Sequence, residues 1–578
     1  MNLAVWDWLI VAVYLGFSLF LGLYFSKRGT RNVNEFFVSG RNLPWWLAGV
    51  TMAASAFAID TPLGIVGLVS KHGIPGMWYA WSFVIGGAGA LGAFVFAPLL
   101  RRSEVITTAE LVELRYSGRA ARFLRGFKGV YFGIFANAIT IGWVIKAVFT
   151  ITKDVLGLNP HLTLAALLLF TLAYTAVSGL WGIVATDFVQ FIIGLFGIYI
   201  LAVLAWRHIG GLEPLLDGLA QRYGAAEAAE RLRFIPSMDS SFFIIFIVFV
   251  SLKWWGNPPP AIHQRIVASK NARHASLSTL FFAITAFAIN YWPMIIIALV
   301  SLAAFPSLEA PEHGYGMLML RLLPTGLLGL MVASMVAAFM STIDTHINYG
   351  AAYMVNDIYR RFIRRHASEK HYVRAAQCST VIMLLIAVGI AYSLDSVQQA
   401  WYYMATLTAG YGFIIVLRWF WWRINAWSEI AALAASGVGS TLLASRFAKL
   451  LGYYPYIEGL GYGRRFLIIL SASTIAWVLV TLLGHPSDED VLVTFCRKVK
   501  PFRQGWGPIY RKYPRLGWNM HLGRSVVHWL LGTIGIFSIC FGIGNILLAS
   551  TSLGIALLAV AAVIFFGIYL TWDTRGEL

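Results

Sequence analysis

The stretch AAFMSTIDTHINYGAAYMVNDIYRRF, residues 337–362, places five oxygen-bearing side chains inside a long apolar run. Side chains three and four residues apart share one face of a helix. A helix here would therefore carry an oxygen-rich stripe with Thr342 at its edge, formed by Ser341, Asp344, Thr345 and Asn348. An acid that faced lipid would cost at least ~2.5 kcal/mol. The sequence therefore predicts that this stripe faces protein, water or an ion.

The composition is that of a polytopic membrane protein. The chain has 578 residues, of which 59% are hydrophobic and only 12% are charged, and its mean hydropathy is +0.71. A soluble domain carries about 25% charged residues. The net charge of +18 comes from basic residues clustered between apolar runs, a pattern that topology explains better than nucleic-acid binding. We therefore expect contact with a lipid bilayer and no nucleic-acid partner.

About fifteen transmembrane helices are predicted, because a helix needs about 20 apolar residues to cross a bilayer. The apolar runs are 5–25, 46–69, 76–100, 127–152, 161–178, 181–206, 240–257, 276–304, 322–358, 373–394, 398–421, 427–446, 466–484, 525–548 and 552–572. We number these predicted spans one to fifteen.

The basic clusters give the expected orientation. Residues 101–128, 360–374 and 497–524 are rich in Lys and Arg, and all three segments fall on the same predicted side of the membrane. Basic residues concentrate on the cytoplasmic side. We therefore expect a multi-pass protein of the plasma (inner) membrane, with its N-terminus outside and its C-terminus in the cytoplasm.

The sequence lacks the marks of an enzyme. It contains no Walker, HExxH or GxSxG motif, and its three cysteines, Cys378, Cys496 and Cys540, show no metal-binding or redox spacing. We therefore expect no catalytic activity and no organic cofactor. A membrane sensor without transport stays open as an alternative class of protein.

Two predicted spans are interrupted by residues that disfavour a helix. Span two contains Asp60, Thr61 and Pro62 at its centre, and span seven ends in GNPPP at residues 256–260. Non-helical backbone at membrane depth occurs only where it is buried or lines a cavity. Paired interruptions indicate a transporter built from inverted repeats, which would here be spans two to six and seven to eleven.

Four segments together resemble the sodium:solute symporter family. They are SGRNLPWWLAGVTMAAS at 39–55, YTAVSGLWGIVATDFVQF at 174–191, QRIVASKNARHA at 264–275, and MSTIDT with NDIYRRF in the opening stretch. The resemblance covers about residues 1–425. It implies an all-α membrane fold with a five-plus-five inverted-repeat core of the LeuT type, in which the first and sixth core helices are discontinuous.

The resemblance also implies a domain organisation. Residues 1–45 would form an extra helix and a cytoplasmic link, and 46–206 the first repeat. An extracellular loop at 207–239 would precede the second repeat at 240–425. Extra C-terminal helices would occupy 426–578, with a basic cytoplasmic loop at 486–524.

A sodium site between spans two and nine follows from the same resemblance. Its ligands would be the backbone carbonyls of Ala54, Phe57 and Ala338 and the hydroxyls of Ser341 and Thr342. Neutral oxygens suit a small hard cation that must be released again. No other metal is expected.

Asp344 departs from the family pattern, because many members have a small hydroxyl residue there. The resemblance places Asp187 beside the sodium exit path. A second cation site could be formed by Asp187, Ser341, Asp344 and Thr345. Asp344 could instead titrate a proton, or pair with a basic or hydrogen-bonding neighbour.

The solute would bind near the two interruptions, in a cavity lined by Asp60, Thr61, Lys253, Trp254, Trp255 and Asn257. Lys253 or Arg265 could bind a carboxylate or neutralise Asp60. The expected function is sodium-coupled uptake of a small polar organic solute by alternating access. Proton-coupled or uncoupled transport is the alternative within transport. The sequence does not specify the oligomeric state.

Overall fold

The computed structural model describes residues 3–253, 258–305, 308, 311, 313–394, 401, 404, 408, 410–444, 449–450, 452–516 and 521–572. Every regular element in this part of the chain is a helix. The one bridge between extended residues joins Leu43 to Ser269: Leu43 N donates to Ala268 O at 3.0 Å, and Lys270 N donates to Leu43 O at 2.9 Å.

The α-helices are, in chain order, α1 (Val5–Gly29), α2 (Val33–Val38), α3 (Trp45–Ala56), α4 (Asp60–His72), α5 (Trp78–Trp81), α6 (Ala97–Ser103), α7 (Glu110–Arg115), α8 (Gly118–Val130), α9 (Asn137–Thr150), α10 (Pro160–Ile209), α11 (Leu212–Tyr223), α12 (Ala225–Leu232), α13 (Phe243–Val248), α14 (Pro260–Ala268), α15 (Ala272–Ala283), α16 (Tyr291–Ala304), α17 (His313–Leu322), α18 (Leu327–Ala352), α19 (Glu369–Ala391), α20 (Gly412–Leu417), α21 (Ala426–Leu442), α22 (Tyr454–Glu458), α23 (Tyr462–Leu483), α24 (Glu489–Val499), α25 (Gly507–Lys512), α26 (Leu522–Leu548) and α27 (Thr551–Thr571). Short 3₁₀ turns lie at Ser39–Arg41, Ile74–Met77 and Ser82–Val84. Wider π-helical turns lie at Gly92–Phe96, Tyr131–Ala136, Ile151–Val155, Phe249–Lys253, Ile284–Ile289 and Tyr353–Ile363.

Among the described residues, nine helices are long and apolar enough to cross a bilayer, and the bent pair α3–α4 would be a tenth. The number fifteen stays a prediction. Predicted span 76–100 is divided into short helical pieces, and spans 240–257 and 398–421 run into residues outside the described part.

Helix α10 contains two predicted spans, 161–178 and 181–206. Its 50 residues would measure ~75 Å as one straight helix, more than twice the ~30 Å hydrocarbon thickness of a bilayer. Gly179 breaks the helix with φ 57° and ψ −155°, and a Cβ there would lie 2.7 Å from the carbonyl oxygen of Phe36. The left-handed φ and the close backbone therefore require glycine at the boundary of the two spans.

The first interruption lies where the sequence predicts it. Helix α3 ends at Ala56, Phe57 has the non-helical angles φ −91° and ψ 77°, and α4 starts at Asp60 with its axis turned by 60°. Pro62 is in the first turn of α4, where a backbone N–H has no partner within the helix. At the second interruption, α14 starts at Pro260, and residues 254–257 lie outside the described part.

The C-terminal helices are tied to the preceding ones through Glu429 on α21. Its carboxylate accepts hydrogen bonds from Tyr116 at 2.7 Å and from Tyr411 at 3.1 Å. It also pairs with Arg418 at 3.0 Å and with Lys128 at 3.3 Å. All five side chains are buried, so the Glu429 carboxylate is compensated within the protein.

The basic loop predicted at 486–524 contains α24 and α25 and packs on the rest of the protein. The Trp506 indole is fully buried and donates to the carbonyl of Trp419 at 2.8 Å. The Arg115 guanidinium lies 4.6 Å from the Trp506 ring and donates to the carbonyl of Trp421 at 3.0 Å. Aromatic packing, in addition to basic charge, therefore holds this segment in place.

Helix α1 braces the start of α18. The Asp7 carboxylate is 1% exposed, and its Oδ1 accepts hydrogen bonds from the backbone N–H groups of Gly326 at 2.7 Å and Gly329 at 2.8 Å. These groups belong to the first turn of α18, where N–H groups lack helical partners and a negative charge is favourable. A Cβ on Gly329 would lie 2.4 Å from the Cα of Asp7, so glycine permits this approach.

We predict that Asp7→Ala lowers the melting temperature of the detergent-purified protein, because the N–H groups of Ala4, Gly326 and Gly329 lose their acceptor, a loss of about 1–2 kcal/mol. Asp7→Asn should cost less, since it keeps an acceptor oxygen. Asp217→Ala, at an exposed position of α11, is the control and should leave the melting temperature unchanged. Equal melting temperatures for the native protein and Asp7→Ala would contradict the capping role.

Candidate functional site

Asp187 on α10 joins α3 to α18 at one level of the protein. Its Oδ1 accepts a hydrogen bond from the Ser341 hydroxyl at 2.6 Å, and its Oδ2 accepts one from the Thr51 hydroxyl. All three side chains are buried. Thr51 belongs to the helix that breaks at Phe57, and Ser341 belongs to the stripe on α18. One carboxylate therefore fixes the register of both helices.

A second junction lies two turns further along α10, at Gly194. The Ser334 hydroxyl on α18 donates to the carbonyl of Gly194 at 3.3 Å. The Phe57 ring packs on the same glycine, where a Cβ would lie 2.9 Å from Phe57 Cε1. Gly194 therefore lets the broken end of α3 approach α10.

Two of the predicted sodium ligands, Ala54 and Ala338, lie between the levels of these two junctions, and Ser341 and Phe57 belong to the junctions themselves. On α18, Ala338 is one turn from Ser334 and one turn from Ser341. On α3, Ala54 lies between Thr51 and the break at Phe57. The packing therefore brings the last turn of α3, between Thr51 and the break at Phe57, to the level of Ala338 on α18.

Four of the five predicted ligands, all except the Phe57 carbonyl, have a hydrogen-bonding partner among the described contacts. The Thr342 hydroxyl donates to the carbonyl of Ala338 at 3.0 Å, and the Ala54 carbonyl accepts from Phe57 N at 3.1 Å. A carbonyl oxygen has two lone pairs, and a hydroxyl that donates its hydrogen keeps its own lone pairs. These oxygens can therefore bind a cation without breaking the helix contacts, and their neutral character fits sodium. The sodium-ligand set stays a prediction.

The oxygen-rich stripe of α18 faces protein. Ser341, Asp344, Thr345 and Asn348 are each at most 1% exposed. The Thr345 hydroxyl lies 3.0 Å from the Ser55 hydroxyl of α3, and Asn348 Oδ1 accepts from Gln264 of α14 at 2.9 Å. The prediction that the stripe does not face lipid is confirmed.

Arg265 on α14 is the cation of this junction, and the sequence did not assign it there. Its Nη2 donates to the Thr345 hydroxyl at 2.5 Å and lies 3.6 Å from Asp187 Oδ2. Both charged side chains are fully buried. Arg265 therefore pairs with Asp187 and does not neutralise Asp60, which was one of the possibilities that the sequence left open. The charge of Arg265 could have indicated such a pairing from the sequence, because an arginine buried at membrane depth needs an acid partner.

Asp344 lies on the other side of the stripe. Its Oδ2 accepts a hydrogen bond from the Tyr174 hydroxyl at 2.7 Å, whereas its Oδ1 is buried and has no hydrogen-bond partner among the described residues. The sequence analysis did not name Tyr174. Of the four residues of the predicted second cation site, Asp187, Ser341 and Thr345 already bind one another or Arg265. The site itself stays a prediction.

Asp60 opens α4 at the break. Its side chain is 2% exposed, and its Oδ1 lacks a hydrogen-bond partner within the described part of the chain. The side chain of Trp401 lies beside it, packs against Gly64 and stacks on Tyr79 with a centroid distance of 5.5 Å. Asp60 therefore presents a buried acceptor next to a flat aromatic surface.

The hydroxyl of Thr61 accepts a hydrogen bond from Ala58 N at 3.2 Å. This contact stabilises the backbone at the break, which is a structural role. Trp254, Trp255 and Asn257, which the sequence also placed in the solute cavity, lie outside the described residues. The Lys253 side chain lies outside them too.

A broken membrane helix packed against an oxygen-rich stripe, with a buried acceptor at the break, defines a cation-coupled secondary transporter. The sequence pattern of the sodium:solute symporter family matches residues 36–439. The chain belongs to this family and is a sodium-coupled symporter. Its curated relatives are transporters as well.

Two curated relatives cover most of the chain. A sodium/mannose cotransporter of Bos taurus is 27% identical over 492 residues, which are 77% of this chain and 80% of the relative. A sodium/glucose cotransporter of Vibrio parahaemolyticus is 24% identical over 518 residues, which are 84% of this chain and 93% of the relative.

Among solved structures, a Na⁺-coupled sialic acid symporter in a substrate-bound outward-open state has a TM-score of 0.68 at 18% identity. The match covers 84% of this chain and 99% of that one. The predicted all-α membrane fold of the LeuT type is therefore confirmed. The helix count and the domain boundaries stay predictions.

We predict a strong coupling between Arg265 and Asp187. Arg265→Gln and Asp187→Asn should each lower the melting temperature, because either change removes one partner of a buried ion pair, a loss of about 3–5 kcal/mol. The double variant should recover much of that loss. Melting curves of the four proteins, combined as a double-mutant cycle, measure the coupling.

The control cycle uses the surface pair Arg233–Glu230, whose ions are 3.5 Å apart with side chains 58% and 25% exposed. It should give a coupling below about 1 kcal/mol. Additive effects of Arg265→Gln and Asp187→Asn would refute the pairing.

Proposed function

We propose that this symporter takes up a small polar organic solute by alternating access, with one sodium ion held between the break of α3 and helix α18. The ion would bind the carbonyls of Ala54, Phe57 and Ala338 and the hydroxyls of Ser341 and Thr342. The single observation that supports this site most is the register set by Asp187 and Gly194. This register supports a site in which carbonyls of the last turn of α3 and hydroxyls of α18 would bind the same ion.

Sodium binding would stabilise the packing of α3 on α18. The break at Phe57 leaves backbone carbonyls without a continuous helix, and a cation bound to both helices compensates for that loss. The solute would then bind beside Asp60, which follows the break by one turn. Because ion and solute would share the same broken helix, each would favour the conformation that the other binds.

Asp187 would guide sodium as it leaves. Its carboxylate is hydrogen-bonded to Ser341, a proposed sodium ligand, and is paired with Arg265 of α14. A movement of α14 would separate the guanidinium from the carboxylate and expose a negative charge next to the ion. The plasma membrane, an external N-terminus and a cytoplasmic C-terminus belong to this proposal, on the distribution of basic residues.

The solute class follows from Asp60 and its aromatic neighbours. A buried acceptor without a partner favours a ligand with hydrogen-bond donors, and Trp401 stacked on Tyr79 offers a flat apolar face. Hydroxyl groups on a carbon ring match both features, and the relatives are named for mannose and glucose. We therefore propose a polyhydroxylated solute.

A solute with an ammonium group is the second candidate. A carboxylate beside an indole is the arrangement that attracts organic cations. In the described contacts Asp60 has no ion-pair partner, which favours this candidate over an anionic solute.

We predict that Ser341→Ala and Thr342→Ala each raise the sodium concentration for half-maximal thermal stabilisation by roughly tenfold, since each removes one ligand worth about 1.4 kcal/mol. Potassium replaces sodium at constant ionic strength and pH in the titration. Ser301→Ala is the control and should leave that concentration unchanged, because Ser301 is a buried hydroxyl residue of α16 whose hydrogen bond to the carbonyl of Ala298 stays within its own helix. If potassium stabilises the native protein as well as sodium does, sodium coupling through this site is wrong.

We also predict sodium-dependent stabilisation by mannose, glucose or myo-inositol, which Asp60→Asn should weaken by roughly tenfold. Choline and a primary amine test the second candidate in the same thermal-shift assay. Stabilisation by the amines alone would replace the first candidate by the second. An unchanged response in Asp60→Asn would remove Asp60 from the solute site.

A further inference from the structure

We propose that Asp344 sets both the affinity of the protein for sodium and the number of sodium ions that each chain binds. The reason is that the buried cluster of Asp187, Asp344 and Arg265 lacks one positive charge. The cluster would take up a single sodium ion, with Arg265 in the place of a second. This inference rests on the proposed sodium site and adds a residue and a stoichiometry to it.

The cluster is closed to solvent. The side chains of Asp187, Arg265 and Asp344 are each 0% exposed, and the hydroxyls around them are buried as well. Two carboxylates and one guanidinium carry a net charge of −1. Among the described residues, Asp344 has no ion-pair partner, and the Tyr174 hydroxyl on its Oδ2 is neutral. A buried carboxylate left in this state is unfavourable and attracts a cation.

Arg265 already contacts two of the four residues predicted for a second cation site, Thr345 and Asp187. Its guanidinium donates to Thr345 at 2.5 Å and to Gln264 Oε1 at 3.0 Å, and it lies 3.6 Å from Asp187. A guanidinium stays charged in proteins. It therefore acts as a cation tethered to α14 and balances Asp187.

The negative charge of Asp344 would therefore balance the positive charge of the transported sodium ion. It follows Ser341 by three positions on α18, so the Cβ atoms of the two residues are about 5–6 Å apart. The proposed sodium ion at Ser341 and Thr342 would lie within one helical turn of this charge. Asp187, Asp344, Arg265 and one sodium ion sum to zero, whereas a second sodium ion would leave the buried cluster positive.

The contacts of Asp344 fit a role through charge. Its Oδ1 is buried without a hydrogen-bond partner in the described part of the chain, so no neighbour compensates that oxygen. The neutral ligands proposed for sodium bind weakly on their own. A carboxylate one turn away strengthens their hold on the ion without entering the ligand set.

The test is a sodium titration of the purified, solute-free protein, followed by melting temperature at constant pH and ionic strength with potassium as the replacement ion. The native protein should show a Hill coefficient of about one, and radioactive sodium at equilibrium should bind with one ion per chain. Asp344→Asn should raise the half-saturating sodium concentration at least tenfold, as expected for the loss of a unit charge at about 6 Å.

Asp344→Glu is the second variant, because it keeps the charge and should stay within about threefold of the native value. Asp357→Asn is the matched control. Asp357 is a buried carboxylate thirteen residues further along the same helical run, paired with Arg125 at 2.8 Å. Its loss should lower the melting temperature without changing the sodium concentration for half-saturation.

Two results would overturn the proposal. One is two bound sodium ions in the native protein that become one in Asp344→Asn, which would make Asp344 part of a second sodium site. The other is an unchanged half-saturating concentration in Asp344→Asn while Ser341→Ala changes it, which would leave the proposed sodium site intact. If neither Ser341→Ala nor Asp344→Asn has an effect, the proposed sodium site itself has failed.

Discussion

The hydrogen bonds that Asp187 accepts from Thr51 and Ser341 are the contacts on which the rest of the junction depends. A carboxylate at this depth is stable only when its oxygens are satisfied. Two helices meet that need with hydroxyl groups, and a third helix supplies the Arg265 guanidinium. The positions of α3, α14 and α18 are therefore set by one charged group, and the register of the helix break follows from them.

Around this junction the protein uses close backbone approaches. Glycines at positions 179, 194 and 329 let a neighbouring backbone or ring lie where a Cβ would be 2.9 Å or less from another atom. Helices packed so closely resist sliding past one another along their axes. Asp7 strengthens the same arrangement from α1, because it accepts hydrogen bonds from the backbone at the start of α18. The first helix is thus part of the support of the helix that carries Ser341.

The sequence predicts the fold class and the location of the site, because both follow from patterns along the chain. Apolar runs give the membrane fold, Pro62 and its neighbours give the first break, and the spacing of Ser341, Asp344 and Thr345 gives one helix face. Pairings between distant segments do not follow from such patterns. The sequence leaves open whether Arg265 binds a carboxylate or neutralises Asp60, whereas in the structure it pairs with Asp187, 78 residues earlier in the chain. Tyr174 was missed because a tyrosine in an apolar run is ordinary.

The extended bridge at Leu43 has a consequence for how the broken helices move. Leu43 comes just before α3. Ala268 is the last residue of α14, and Lys270 lies two residues beyond it, so two main-chain hydrogen bonds join the starting end of one half-helix to the final end of the other. These two hydrogen bonds link the two half-helices mechanically. Because this linkage consists of backbone atoms, side-chain substitutions that alter the ion or solute preference of the site leave it in place.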